Sequence, residues 1–280
     1  MPPRVHTRHA FSAPRWTDLS CSVRELLFTL DGLGEVLGGL AGRLANAGLD
    51  VALQAPGGWF PSLAHDLSGH FPIQDGRVAR CSRAAVEWRV LCRCHRDLRG
   101  ALHRGDCAHF IDTLTTIGKC VSGVDGFRCG PVGTTADANG HRVLFAPETT
   151  IDNRLQNLFE VLMVKEAPSS SFNAILAAVW LTNCHPFVDG NGRTSRILFN
   201  MLIQRDLEIP LFYLPIYELA LLSRQGFIIS VREAEVFGRW HPLYEFYGNA
   251  MMIWLHALQN QPQCIQAIGG PDEYYNQPAL

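Results

Sequence analysis

Nowhere do the 280 residues hold a run of 18 or more uncharged apolar side chains, which argues against a membrane-spanning helix. A surplus of one charge is also missing. Lys and Arg number 24 against 26 Asp and Glu, a formal net charge of −2, so the overall balance gives no reason to expect nucleic acid or an acidic membrane as partner. The first 17 residues carry Arg4, His6, Arg8, His9 and Arg15 but no acid, and they lack the apolar stretch of a secretory signal peptide. There is no internal repeat and no low-complexity tract. Zinc-type spacing is absent as well: nine cysteines are scattered irregularly. Their one close pair, Cys92 and Cys94 beside His95, is a residue short of the usual knuckle and has no matching second pair. The expectation is reduced, mostly buried thiols in a cytoplasmic protein, with delivery into another cell compatible with the basic N-terminal stretch.

What is present suits a folded chain. Apolar residues make up 47% and charged residues 18%, enough for a sizeable core in one large domain or two modest ones. Residues 1–80 are rich in Gly, Ala and Pro, and their apolar stretch from Leu26 to Leu53 is interrupted by Gly32, Gly34, Gly38, Gly39 and Gly42. Each such glycine costs a helix about 1 kcal/mol relative to alanine, so this N-terminal, mainly helical extension needs tertiary packing. From Ser82 the pattern is more regular. Ala85, Trp88, Leu91, Cys92 and His95 fall at helical spacing, as do Phe110, Leu114, Ile117 and Val121. Between Phe127 and Phe145, Asn139-Gly140 signals a type I′ turn flanked by short strands, a β-hairpin. Helices are then expected from Ile151, over Phe172–Thr182 with a serine N-cap, over Gly192–Asp206, and at Ile216–Ser223, Phe227–Val236 and Leu243–Leu258.

One stretch concentrates chemistry. Residues 185–193 read His-Pro-Phe-Val-Asp-Gly-Asn-Gly-Arg, with a second arginine at Arg196. Lying between two apolar helices, the glycines fall where a loop enters the next helix. Gly190 and Gly192 let backbone amides approach a ligand, and the new helix offers free N–H groups and the positive end of its dipole to an anion. Arg193 and Arg196, three apart, are able to lean toward the same site, and phosphate suits their fork geometry. Asp189 is the one carboxylate in the loop, and Mg²⁺ favours a carboxylate completed by phosphate oxygens and water. His185 is the natural general base, since histidine titrates near neutrality. Phe187 is expected to anchor the loop by burying its ring. Each piece alone would pass as ordinary structure; the order and completeness of the set carry the reading.

The stretch resembles the Fic-domain signature, His-Pro-Phe-x-Asp/Glu-Gly-Asn-Gly-Arg-x-x-Arg, at every specified position. The likeness extends more weakly from about Ala85 to Leu258, including Phe127-Arg128 and Phe145-Ala146-Pro147 around the hairpin. It implies an all-α fold with one β-hairpin flap beside the active-site loop, a Fic domain over 81–260, the N-terminal extension 1–80 and a tail over 261–280. It also implies transfer of AMP from ATP to a hydroxyl of a target protein docked along the hairpin near Asn139-Gly140. In that scheme His185 deprotonates the acceptor and Asp189 holds Mg²⁺. Gly190, Asn191 and Gly192 cradle the phosphates, while Arg193 and Arg196 grip the departing β and γ phosphates. Phe227 stands where the family often carries an aromatic beside the base, although core packing is the more ordinary role for an aromatic at helical spacing.

Two departures matter. Gly192 stands where a phosphotransferase branch of the family has lysine, which argues for nucleotidyl transfer; UMP, phosphocholine or an idle nucleotide-binding module are the rivals. Many relatives also silence themselves through a Ser/Thr-x-x-x-Glu-Gly/Asn helix whose glutamate pairs with the second arginine. None of the twelve glutamates here has that context. The sequence therefore suggests that Arg196 is free, either in an unrestrained enzyme or in one awaiting a partner that supplies the glutamate.

Overall fold

A computed structural model describes residues 5–7, 11–46, 83–134, 142–164, 168–223 and 225–259. The described elements are strand β1 (Val5–Thr7), helices α1 (Cys21–Asn46), α2 (Arg83–Arg104) and α3 (Cys107–Ser122), strand β2 (Arg142–Leu144), then α4 (Ile151–Met163), α5 (Ser170–Cys184), α6 (Asn191–Leu202), α7 (Ile216–Leu222), α8 (Gly226–Phe237) and α9 (His241–Gln259). The fold is mainly α, as the hydrophobic periodicity requires.

α5 is the hub. Twelve of its fifteen residues are buried, including Phe172, Ile175, Leu176, Val179 and Leu181, so it is apolar on nearly every side rather than amphipathic. Its start is fixed by Ser169, whose hydroxyl accepts from the Phe172 amide at 3.1 Å. Around it pack α6, α4 and α1. α1 is no detached extension, because Leu27, Leu30, Leu37 and Leu40 lie in the same core. Asp31 of α1 also accepts from the Ser171 amide at 2.8 Å. The stretch of the apolar pattern from 47 to 53 lies outside the described residues.

The helix after the active loop ends at Leu202, not at Asp206 as the pattern suggested. The cause is side-chain competition for the backbone. Asn200 donates to Leu214 O at 3.1 Å and accepts from Leu214 N at 2.6 Å. One turn on, Gln204 donates to Phe212 O at 2.9 Å and accepts from the amides of Leu211 and Phe212. These amides turn the chain back along α6 and set Tyr213 beside it.

The hairpin is described only at its stems. β2 bridges antiparallel to Gly133, and Phe145 N donates to Val132 O at 2.9 Å, while the Asn139-Gly140 turn lies outside the described residues. β2 also pairs in parallel with β1, Val5 opposite Arg142 and Thr7 opposite Leu144.

One expectation changes. The thiols are free but not mostly buried: of the seven described cysteines, Cys94 and Cys184 are buried and Cys21, Cys92, Cys120 and Cys129 are exposed. Cys92 faces away from the helix side that buries Cys94 and His95. His95 Nε2 lies 3.0 Å from Leu207 O, and among the described residues no His, Cys, Asp or Glu cluster suits a metal. Among those residues, too, no helix is long and apolar enough to cross a membrane.

Replacing Asn200 by alanine leaves Leu214 N without its acceptor and removes one of the two donors to Leu214 O, which keeps Ile216 N at 2.8 Å. An orphaned buried amide costs about 1–3 kcal/mol. Chemical denaturation of Asn200→Ala should therefore show a clear loss of stability; a change within about 0.5 kcal/mol, as at an ordinary surface position, contradicts this account of the α6 terminus.

Candidate active site

The loop joining α5 to α6 starts from a strained residue. His185 caps α5 in the left-handed conformation, φ 51°, with its amide donating to Leu181 O at 2.9 Å. Glycine or asparagine is the usual occupant of such a cap, and another residue there costs about 1–3 kcal/mol. An imidazole held at that cost points to a use for the imidazole. Its Nδ1 lies 3.3 Å from Thr182 O. A carbonyl only accepts, so this contact favours the tautomer protonated at Nδ1 and makes Nε2 the basic nitrogen. The ring of Phe145 stacks on the imidazole, centroids 3.6 Å apart and planes within 9°. Sequence reading missed that contact; the aromatic it considered, Phe227, packs half-buried against Phe246 and Tyr247 instead.

Phe187 buries its ring as expected, 2% exposed. Its seat is Gly118 of α3, where an added Cβ would come within 2.4 Å of the ring, with Phe127 alongside at 5.6 Å between centroids. Asn191 closes the loop: its Oδ1 accepts from Phe187 N at 2.9 Å and its Nδ2 donates to Phe187 O at 2.7 Å. The Asn191 side chain thus shapes the loop, and what it turns toward an anion is its backbone amide. Gly190 has φ 86°, and a Cβ there would meet Val121 Cγ2 at 2.9 Å, so glycine is required on two counts. α6 then begins at Asn191, and Thr194 N is the first amide to bond back, to Gly190 O at 2.8 Å. The amides of Asn191, Gly192 and Arg193 therefore have no acceptor within the helix, the arrangement that binds phosphate.

The charged residues do not lean together as their spacing suggested. Arg193 donates through Nη2 to Asp189 Oδ2 at 2.7 Å and through Nη1 to Val121 O. The Asp189 side chain is 72% exposed, and an exposed pair of this kind contributes about 0–1 kcal/mol, so Asp189 can exchange Arg193 for a cation at little cost. Its Oδ1 accepts from Gly190 N at 2.6 Å, and as the exposed carboxylate of the loop it fits Mg²⁺ of the kind completed by phosphate oxygens and water.

Arg196 is not free. It donates through Nε to Glu87 Oε2 at 3.0 Å and through Nη2 to Glu87 Oε1 at 2.5 Å, a two-pronged pair with a carboxylate 1% exposed. Tyr213 donates its hydroxyl to the same Oε2, and Tyr217 offers its ring face 5.1 Å from the guanidinium carbon. Burial opposes the charge on Arg196, yet the Glu87 carboxylate beside it holds its pKa above the ordinary arginine range; burial and the same carboxylate push the Tyr213 hydroxyl well up. The third nitrogen, Nη1, lies beside Gly192, 3.4 Å from where a Cβ would stand. The motif search failed to find Glu87 because no Ser or Thr lies four residues before it. Helical phase would have found it: Glu87 falls in line with Val90, Leu91, Cys94 and Leu98 on the buried side of α2. A carboxylate in such a stripe needs a cation from elsewhere in the fold.

The described site thus brings together, in a mainly helical fold, a left-handed histidine, an exposed carboxylate and the start of a helix. Residues 109–203, from α3 to just past α6, match the Fic/DOC family. The fold is similar to that of a Fic family protein from Desulfovibrio desulfuricans, at 16% identity over 88% of this chain and 84% of that one, TM-score 0.53. It is also similar to Fic-1 from C. elegans, at 18% identity over 88% and 72%, TM-score 0.52, and to a glutamate-to-glycine variant of that fragment, at 20% identity over 84% and 71%, TM-score 0.52. The family match covers residues 109–203, and the structural likenesses show the fold.

The seat of Phe187 is testable. Gly118→Ala should cost about 1–3 kcal/mol by overpacking. Gly32→Ala, where a Cβ meets nothing within 4 Å, should be neutral or stabilising, since alanine is the better helix former. Equal stabilities of the two variants in urea would contradict the role given to Gly118.

Proposed function

We propose that the chain is a protein nucleotidylyltransferase that moves AMP from ATP to a hydroxyl side chain of a target protein. The observation that carries this reading is the joining of a left-handed, stacked His185 to the free amides at the start of α6 through one rigid loop. The acceptor oxygen attacks the α-phosphorus, its proton passes to His185 Nε2, and the bond from the α-phosphorus to the bridging oxygen breaks as pyrophosphate leaves. The amides of Asn191, Gly192 and Arg193 receive phosphate oxygens, and Arg193 and Arg196 neutralise charge on the departing group. Mg²⁺ held at Asp189 would add charge neutralisation there. Gly192 supports nucleotidyl transfer, because the phosphotransferase branch of the family that the motif resembles carries lysine at this position. A target that adds a strand along β2 must displace Val5–Thr7, which pairs there in the chain itself.

Glu87 is the brake within this scheme. By occupying Nε and Nη2 of Arg196 it denies that fork to the terminal phosphates, the part that a glutamate on a separate helix plays in related proteins. No partner is then needed to supply it. Removing one member of a buried pair costs about 3–5 kcal/mol of stability, because the remaining charge has lost its counter-ion. A bound polyphosphate restores one.

Incubation with Mg²⁺ and isotope-labelled ATP, UTP or CDP-choline, read by mass spectrometry, tests both statements. Glu87→Gly should label itself or added proteins with AMP well above wild type, although the unliganded variant melts lower. His185→Ala in the same background should abolish the label. Transfer of UMP or phosphocholine would replace AMP as the cargo, and undiminished labelling in the His185→Ala background would overturn the assignment of the base.

A further inference from the structure

Arg128 is 3% exposed, a buried cation outside the motif. Its contacts fall on two sides. Toward the active loop, its backbone amide donates to Pro186 O at 2.9 Å and its Nε donates to His185 O at 2.7 Å. Toward the hairpin, Nη1 donates to Gly130 O at 3.0 Å on one stem and Nη2 donates to Ala146 O on the other. The nearest carboxylate, Glu148, is 3.9 Å away and one-third exposed, so backbone carbonyls rather than an ion pair hold this guanidinium. Burial lowers the pKa of Arg128, which marks the cost of placing a cation here. A neutral side chain would fill the space more cheaply; what a guanidinium alone supplies is a planar set of donors that reaches several fixed acceptors at once.

Those acceptors are the ones that determine where the imidazole sits. His185 O belongs to the residue in the left-handed conformation, and Ala146 is the neighbour of Phe145, whose ring stacks on the imidazole. The preceding residue, Phe127, packs on Phe187 in the same loop. We propose that Arg128 is the positioning residue for His185: it clamps the base's strained backbone from one side and holds the stacking Phe145 against its ring from the other. The hairpin stems and the base then move as one unit, so a disturbance of the hairpin is transmitted to the histidine. The importance of this placement for transfer rests on the reading of His185 as the base; the placement itself does not.

The test is nuclear magnetic resonance of the full chain with labelled histidine, the His185 signals assigned by their loss in His185→Gln. Ring current from Phe145 should shift the His185 ring protons upfield in wild type. In Arg128→Gln and Arg128→Lys that shift should collapse toward the value in Phe145→Leu, and the His185 titration midpoint should move with it. In the Glu87→Gly background, the same Arg128 changes should lower kcat by about 100-fold, as a misplaced catalytic group does, with KM for ATP nearly unchanged. Lysine should not rescue, because a single ammonium cannot reach both sides. Folded Arg128 variants with wild-type His185 shifts and midpoint would overturn the proposal. A readout on the unaltered protein covers variants that fail to fold: the Arg128 Nε–H signal should shift as His185 titrates, and its indifference would equally overturn the proposal. Failure of the base assignment shows separately, as activity that survives His185→Ala.

Discussion

Two charges withdrawn from water govern this site. Glu87 and Arg196, 109 residues apart in sequence, meet as a two-pronged ion pair in which the carboxylate is 1% and the guanidinium side chain 14% exposed. The pairing ties α2 to the helix that begins at the active loop. It also explains the neighbourhood: Asn200 and Gln204 turn the chain so that Tyr213 reaches the same carboxylate, and Tyr217 covers the guanidinium. An anion that competes for Arg196 must therefore work against a well-built pocket, and the pocket leaves one nitrogen, Nη1, turned toward the loop beside Gly192.

The loop is organised by a second constraint, strain held by packing. His185 adopts a left-handed cap, Gly190 a positive φ, and Asn191 spends its side chain tying Phe187 in place. Of these, the left-handed histidine is the one conformation not favoured locally. It persists because Phe187 is locked against Gly118 and because Arg128 and Phe145 grip the histidine from the hairpin side. The result is a base, a row of amides and an open carboxylate presented from one short segment, which is what in-line transfer at phosphorus requires.

Much of this was legible in the sequence because it is local. The glycines at the loop, the buried phenylalanine, the helix start at Asn191 and the mainly helical fold all follow from spacing and residue type within a few positions. What escaped was non-local. The stacking of Phe145 on His185 and the reach of Arg128 to its carbonyl, 57 residues away, depend on how the hairpin stems fold back. The partner of Arg196 was missed for a different reason: a linear motif was sought where helical phase was the informative signal. Glu87 sits in register with an apolar stripe, and a carboxylate in that position implies a buried cation. The spacing of Arg193 and Arg196 suggested two heads at one point, but each is drawn off by a different anchor, Val121 O with Asp189 for one and Glu87 for the other.

A crystal structure of the chain with ATP and Mg²⁺ tests the central claim most directly. The account predicts phosphate oxygens on the amides of Asn191, Gly192 and Arg193, the cation at Asp189, the α-phosphorus facing His185 Nε2, and Arg196 turned from Glu87 toward the terminal phosphates. Nucleotide bound elsewhere, or phosphates that make no contact with the start of α6, would contradict it.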